Sequence, residues 1–119
     1  MTEERKKVFC IEDNPENMLL VSRIVEAEGH ELVKAEDGPK AIKMLLEDGQ
    51  TPDIILLDIN LPGIDGLELA RLFKANERVA RIPLIATTAQ VLVGDRERCL
   101  EAGCDDYLPK PLDIRKLRE

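Results

Sequence analysis

Glu12 and Asp13 stand side by side at the end of one short apolar run, and Asp58 ends another. If those runs are neighbouring parallel strands, all three carboxylates reach the same edge of a sheet. Two carboxylates about 4 Å apart repel by roughly 4 kcal/mol at an effective dielectric near 20, and a trio contains three such pairs. One lysine, Lys110 at the end of a later run, does not offset that. A hard divalent cation does, and an all-oxygen site with few carboxylates and open positions suits Mg2+, which keeps several waters and takes up a phosphate oxygen. These residues are therefore suited to phosphoryl chemistry. Asp58 is the candidate nucleophile, because a carboxylate in line with a phosphoryl group can form an acyl phosphate. Lys110 would pair with Asp58 beforehand and with phosphoryl oxygens afterwards, and the Thr88 hydroxyl would donate to another oxygen.

The elements that must position these residues follow from the alternation of short apolar runs with longer amphipathic stretches, the pattern of an α/β sheet. Val8-Phe9-Cys10-Ile11 reads as the first strand, and Asn14-Pro15 as an N-cap followed by proline at the first helical position. In the helix that starts there, Met18, Val21 and Val25 form one stripe, with Leu20 and Ile24 beside it, and Gly29 ends it. Leu32-Val33 is a second short strand. Asp37-Gly38-Pro39 opens a helix with Ala41, Ile42, Leu45 and Leu46 inward, closed by Gly49. Ile54-Ile55-Leu56-Leu57 has no polar alternation, which predicts a strand covered on both faces. After the Pro62-Gly63 loop, the next helix turns Leu69, Ala70 and Phe73 to the core. Leu84-Ile85-Ala86 leads to Thr87-Thr88 as the fourth strand. Asp95 is expected to cap a helix that contains Cys99 and Leu100 and stops at Gly103, and Tyr107-Leu108 is the fifth strand. Right-handed crossovers between parallel strands require helices on both faces, hence a doubly wound α/β fold of three layers. The last helix is cut short: six residues follow Asp113, fewer than two turns.

The chain of 119 residues is expected to form one domain, residues 1–119. Its formal net charge of -7 repels a nucleic-acid backbone, so no direct nucleic-acid binding is expected. Aromatic residues are confined to Phe9, Phe73 and Tyr107, which leaves the core to Ile, Leu, Val and Ala. No apolar run approaches the roughly 18 residues that span a bilayer, and no signal-peptide core follows the charged start, so a cytoplasmic protein without membrane insertion is expected. Cys10, Cys99 and Cys104 fit neither a redox CxxC nor a zinc knuckle and read as small buried hydrophobes. His30 reads as a surface turn residue with no partner, and Lys6, Lys7, Arg96 and Arg98 as solvated charge.

Four segments together resemble the signatures of CheY-like response regulator receiver domains. They are Glu12-Asp13-Asn14, the segment from Asp58 to Gly66, Ile85-Ala86-Thr87-Thr88-Ala89, and Asp106-Tyr107-Leu108-Pro109-Lys110-Pro111. The resemblance covers nearly the whole chain in order, spacing and strand placement. It implies a flavodoxin-like sandwich with strand order 2-1-3-4-5. It implies that Asp58 is the phosphoacceptor in a Mg2+-dependent reaction. Asp13 and Asp58 would be direct metal ligands, Glu12 an acidic position that acts through water, and Asn60 a ligand through its backbone carbonyl. Lys110 matches the family's lysine, with a cis bond to Pro111. Thr88 and Tyr107 match a switch pair in which the hydroxyl moves toward the phosphoryl group and the ring turns inward behind it. Asn60 and Gln90 match the positions that tune hydrolysis of the acyl phosphate. The partners it implies are a histidine kinase or histidine phosphotransfer protein and an unknown downstream protein target, bound through the helix after the fourth strand, the fifth strand and the last helix. A single-domain regulator of the cell-division (DivK-like) type and a receiver cut from a longer protein look alike in this sequence.

Two other functions share parts of this pattern. An aspartate-nucleophile phosphohydrolase needs a general acid/base two residues after its nucleophile, and Asn60 cannot do that work. A nucleotide or flavin binder on the same fold would show GxGxxG or GxxxxGK[ST], and neither occurs. Tyr107 could also serve as an ordinary half-buried strand residue, and Thr88 as a helix cap.

Overall fold

The computed structural model describes residues 6–59, 66–88 and 94–109, with the backbone alone for residues 95, 96, 108 and 109. Five strands, β1 (Lys7–Ile11), β2 (Glu31–Ala35), β3 (Ile54–Asp58), β4 (Leu84–Thr88) and β5 (Asp106–Pro109), pair in parallel in the order β2-β1-β3-β4-β5. This is the α/β topology expected from the alternating runs and the family resemblance. The order reverses between β1 and β3, which places a crevice at their carboxyl ends.

Strand periodicity divides the core in two. Phe9, Ile11, Ile55, Leu57, Leu84 and Ala86 pack into one buried cluster, and Val8, Cys10, Leu56 and Ile85 into another. Helix α1 (Pro15–Ala27) supplies Met18, Val21 and Val25 to the second cluster. Helices α2 (Gly38–Ile42), α3 (Gly66–Lys74) and α5 (Asp95–Glu101) serve the first, through Ala41, through Leu69, Ala70 and Phe73, and through Cys99. A short helix, α4 (Glu77–Ala80), lies between α3 and β4 and adds Val79. Fully burying one such Leu, Ile or Phe is worth about 1.5–3 kcal/mol, so two filled faces fix the strand register on which the site depends.

The ends of α1 follow the expected chemistry. Asn14 Oδ1 accepts the N–H of Glu16 at 2.8 Å and of Asn17 at 3.2 Å. At the other end Gly29, at φ +80°, permits the turn in which His30 N–H donates to Val25 O. Asp37 caps α2 through the Lys40 N–H at 2.8 Å.

The sequence-based reading needs correction at several points. Strand β5 extends one residue either side of Tyr107-Leu108, and helix α4 has no counterpart in the sequence-based expectations. Strand β2 is longer than Leu32-Val33, because its pairing with β1 runs from Lys7↔Glu31 to Ile11↔Ala35. Helix α2 continues as a π-helical turn (Lys43–Glu47), with Asp48 N–H donating to Lys43 O at 2.8 Å. The N-cap of α5 is Gly94, at φ +87°, and Asp95 is already the first helical residue. His30 is partnered: its Nδ1 accepts the Lys6 N–H at 3.1 Å. The three cysteines are buried and unbridged, as expected. No helix among the described residues is long and apolar enough to cross a membrane. The expected last helix and the Lys110-Pro111 bond lie outside the described residues.

Candidate functional site

The crevice is built by backbone register. Ile11 pairs with Leu57, so Glu12, one step further, is level with Asp58, the last residue of β3. Glu12 N–H donates to Ala35 O at 3.1 Å, which holds the chain to β2 just beyond the strand. Its Oε2 accepts the Asn14 N–H at 3.3 Å. Asn14 caps α1, so the turn that carries Glu12 and Asp13 is tied at once to the sheet and to the helix. Asp58 pairs with Thr87, and Ile59 N–H donates to Thr87 O at 3.1 Å, extending the ladder one residue past the carboxylate.

Glu12, Asp13 and Asp58 each offer an oxygen lying within 4.8 Å of the other two. Glu12 and Asp58 are 3% and 4% exposed, whereas Asp13 is open to solvent. At that spacing each pair of ionised groups repels by roughly 3 kcal/mol or more at an effective dielectric near 20. Sheet and cap geometry hold the group together against that repulsion. The donor set is all oxygen, of modest size and open on one side through Asp13, and it fits a hard divalent ion such as Mg2+.

Thr88 ends β4 and is 1% exposed; Tyr107 lies in β5 opposite Ala86 and is 7% exposed, inside the larger core cluster. Its side chain is therefore buried. Asn60, Gln90 and Lys110 lie outside the described residues. Two further positions shape the crevice and were not singled out from sequence. Thr87 is the ladder partner of Asp58, and its Oγ1 donates to Leu57 O at 3.4 Å. Gly66 starts α3 so close to Ile59 that a Cβ there would stand 2.4 Å from the Ile59 Cα. The Asp65-Gly66 dipeptide signals a helix start in the sequence, but the close approach appears only once the backbone is folded.

A family model described as "Response regulator receiver domain" matches residues 8–119. The polar-differentiation response regulator DivK of Brucella ovis is 39% identical over 114 residues, covering 96% of this chain and 91% of that protein. Among solved structures, the receiver domain of the sensor histidine kinase PA1611 from Pseudomonas aeruginosa superposes with a TM-score of 0.85 at 36% identity, over 97% of this chain and 93% of that one. That domain holds a magnesium ion coordinated in its active-site cleft. The chemotaxis response regulator CheY4 of Vibrio cholerae, at 22% identity and a TM-score of 0.85, covers 97% of this chain and 94% of its own and shares the fold.

Proposed function

Since this chain belongs to the family of response regulator receiver domains of two-component signalling, we propose that it is a cytoplasmic phosphorelay receiver whose Asp58 accepts a phosphoryl group in a Mg2+-dependent reaction. The donor is the phosphohistidine of a histidine kinase or histidine phosphotransfer protein. The observation that carries this reading is the convergence of Glu12, Asp13 and Asp58 oxygens within 4.8 Å at the carboxyl edge of the sheet.

Asp13 and Asp58 would hold the ion directly, with Glu12 through water and Asn60 through its backbone carbonyl. When bound, Mg2+ offsets the carboxylate charge and screens the approach of an anionic donor. An Asp58 oxygen attacks phosphorus as the phosphorus–nitrogen bond breaks, and the departing imidazole keeps the electron pair. The place of Asp58 in the β3–β4 ladder holds steady the backbone that would carry the nucleophile. Lys110 pairs with the carboxylate before transfer and with phosphoryl oxygens afterwards, and the Thr88 hydroxyl donates to another oxygen. Asn60 and Gln90 set how readily water reaches the acyl phosphate.

The new charge then biases a packing equilibrium at Thr88 and Tyr107, changing the surface offered to a downstream protein. Both members of that pair are buried, Thr88 at 1% and Tyr107 at 7% exposure, so a change in their packing would have to reach the surface through their neighbours. The whole of residues 1–119 serves as this one receiver unit.

Incubation with acetyl phosphate and Mg2+ tests the reading. The wild-type protein should gain one phosphoryl group labile to alkali and to hydroxylamine, lost when EDTA replaces Mg2+ and absent from Asp58→Asn. Equal labelling of Asp58→Asn, or full labelling in EDTA, would overturn the assignment.

A further inference from the structure

Away from the carboxylates, helix α5 ends in a turn that brings two thiols together. Gly103, at φ +104°, lets Gly103 N–H donate to Leu100 O at 3.1 Å and Cys104 N–H donate to Cys99 O at 3.0 Å. This is the paired hydrogen-bond pattern in which the first and sixth residues of the turn also pack their side chains. Here those residues are both cysteines, and the two thiols are near enough for each to perturb the other. A Cα–C bond, a carbonyl, a 3.0 Å hydrogen bond and an N–Cα bond laid end to end keep the two Cα atoms within about 7 Å. Disulfides usually bridge Cα atoms about 4.4–6.8 Å apart, so the backbone does not hold this pair out of reach.

We propose that Cys99 and Cys104 are an oxidative modification site that closes to an intramolecular disulfide under sustained exposure to a peroxide. Cys104 is 5% exposed and Cys99 is fully buried, so access puts the first step at Cys104. Its sulfur displaces water from hydrogen peroxide and becomes a sulfenic acid. The adjacent Cys99 sulfur attacks that sulfur, the S–O bond breaks, and the expelled hydroxide leaves as a second water with the Cys99 proton. Two thiols and one peroxide thus give one disulfide and two waters. The bond fixes the junction between α5 and β5, the strand that carries Tyr107.

Burial, and after it the neighbouring Cys99, pushes the Cys104 thiol up to about 12. The thiolate is scarce at neutral pH and formation is slow. A thiol so reluctant to ionise is also a poor leaving group, so the disulfide resists reduction once made. The site is a slow, persistent mark rather than a rapid switch. Cys10 provides an internal control, since it belongs to the core cluster on the other face of the sheet.

The test treats the folded full chain with hydrogen peroxide in EDTA, then alkylates with iodoacetamide in denaturant and maps the peptides by mass. Cys99 and Cys104 should be found joined, with alkylation restored by dithiothreitol, while Cys10 stays available. In Cys104→Ser, checked for native circular dichroism, Cys99 should remain alkylatable after the same exposure. Three free thiols after exposure, separate sulfinic acids at the two positions, a bridge that forms only in denaturant, or equal loss of Cys99 in the serine variant would each overturn the proposal.

Discussion

At the scale of single residues, the site stores repulsion that the fold tolerates. Asp58 is 4% exposed and shares a space of 4.8 Å with Glu12 and Asp13. Replacing it with asparagine keeps the shape and removes two of the three repelling pairs. Asp58→Asn is expected to be more stable than wild type by about 1–3 kcal/mol in EDTA, after allowance for solvent around Asp13 and some loss of local hydrogen bonding. Adding Mg2+ should narrow that gap, because an ion that binds the folded state stabilises the protein that binds it better. Urea unfolding of both proteins with and without Mg2+ measures this; a variant less stable than wild type in EDTA would mean that the carboxylates are not mutually repelling in the folded state. These residues were legible in sequence because each ends an apolar run, and parallel strands leave such ends at one edge. Thr87 was not, since its register against Asp58 exists only across the ladder. Nor was His30 as an acceptor, because its partner Lys6 lies 24 residues away.

At the scale of elements, the strands and the longer helices announce themselves through caps, glycines and periodicity, while the pieces that join them do not. Helix α4 has four residues, too few for a periodic signal. Its Arg78 donates to Leu45 O at 2.6 Å and Gln50 O at 3.0 Å, carbonyls at and beyond the π-helical turn. Lys74, read from sequence as nothing in particular, donates to Ala80 O, Ile82 O and Asp105 Oδ2 and so ties α3 to the starts of β4 and β5. Basic residues are common on helices, and only folding shows which carbonyls they reach. The junction most exposed to a single change is Gly66. A methyl group there meets backbone 2.4 Å away at Ile59, next to Asp58, whereas one at Gly29 meets nothing within 4 Å. Gly29→Ala is therefore expected to cost only the left-handed backbone penalty, about 1–2 kcal/mol. Gly66→Ala must move β3 or α3 and should cost about 2–4 kcal/mol. It should also lower Mg2+ affinity, which Gly29→Ala should leave unchanged. Denaturant midpoints with Mg2+ titrations of the two variants separate these outcomes, and equal effects would place the close approach outside the site's support.

At the scale of the whole molecule, 24 acidic against 17 basic residues give a formal charge of -7 on a body with a radius of gyration of 13.3 Å. Excess charge of one sign excludes few folds, but it governs how small ions reach the crevice. Screening extends over about 30 Å at 0.01 M ionic strength and about 8 Å at 0.15 M. Acetyl phosphate is an anion, so the field slows its approach most at low salt, and Mg2+ is a cation, so the same field gathers it most at low salt. The two effects oppose each other in the labelling rate. With Mg2+ saturating, the first alone remains, and raising ionic strength from 0.01 to 0.15 M should speed acetyl phosphate labelling about two- to fivefold. With Mg2+ well below saturation, loss of the ion dominates and the same salt step should slow labelling. A salt response of one sign at both Mg2+ levels would show that the overall field does not control access. The contribution would then have to come from the few charges lining the crevice, which a neutralising substitution at Asp13, exposed at its mouth, would alter directly.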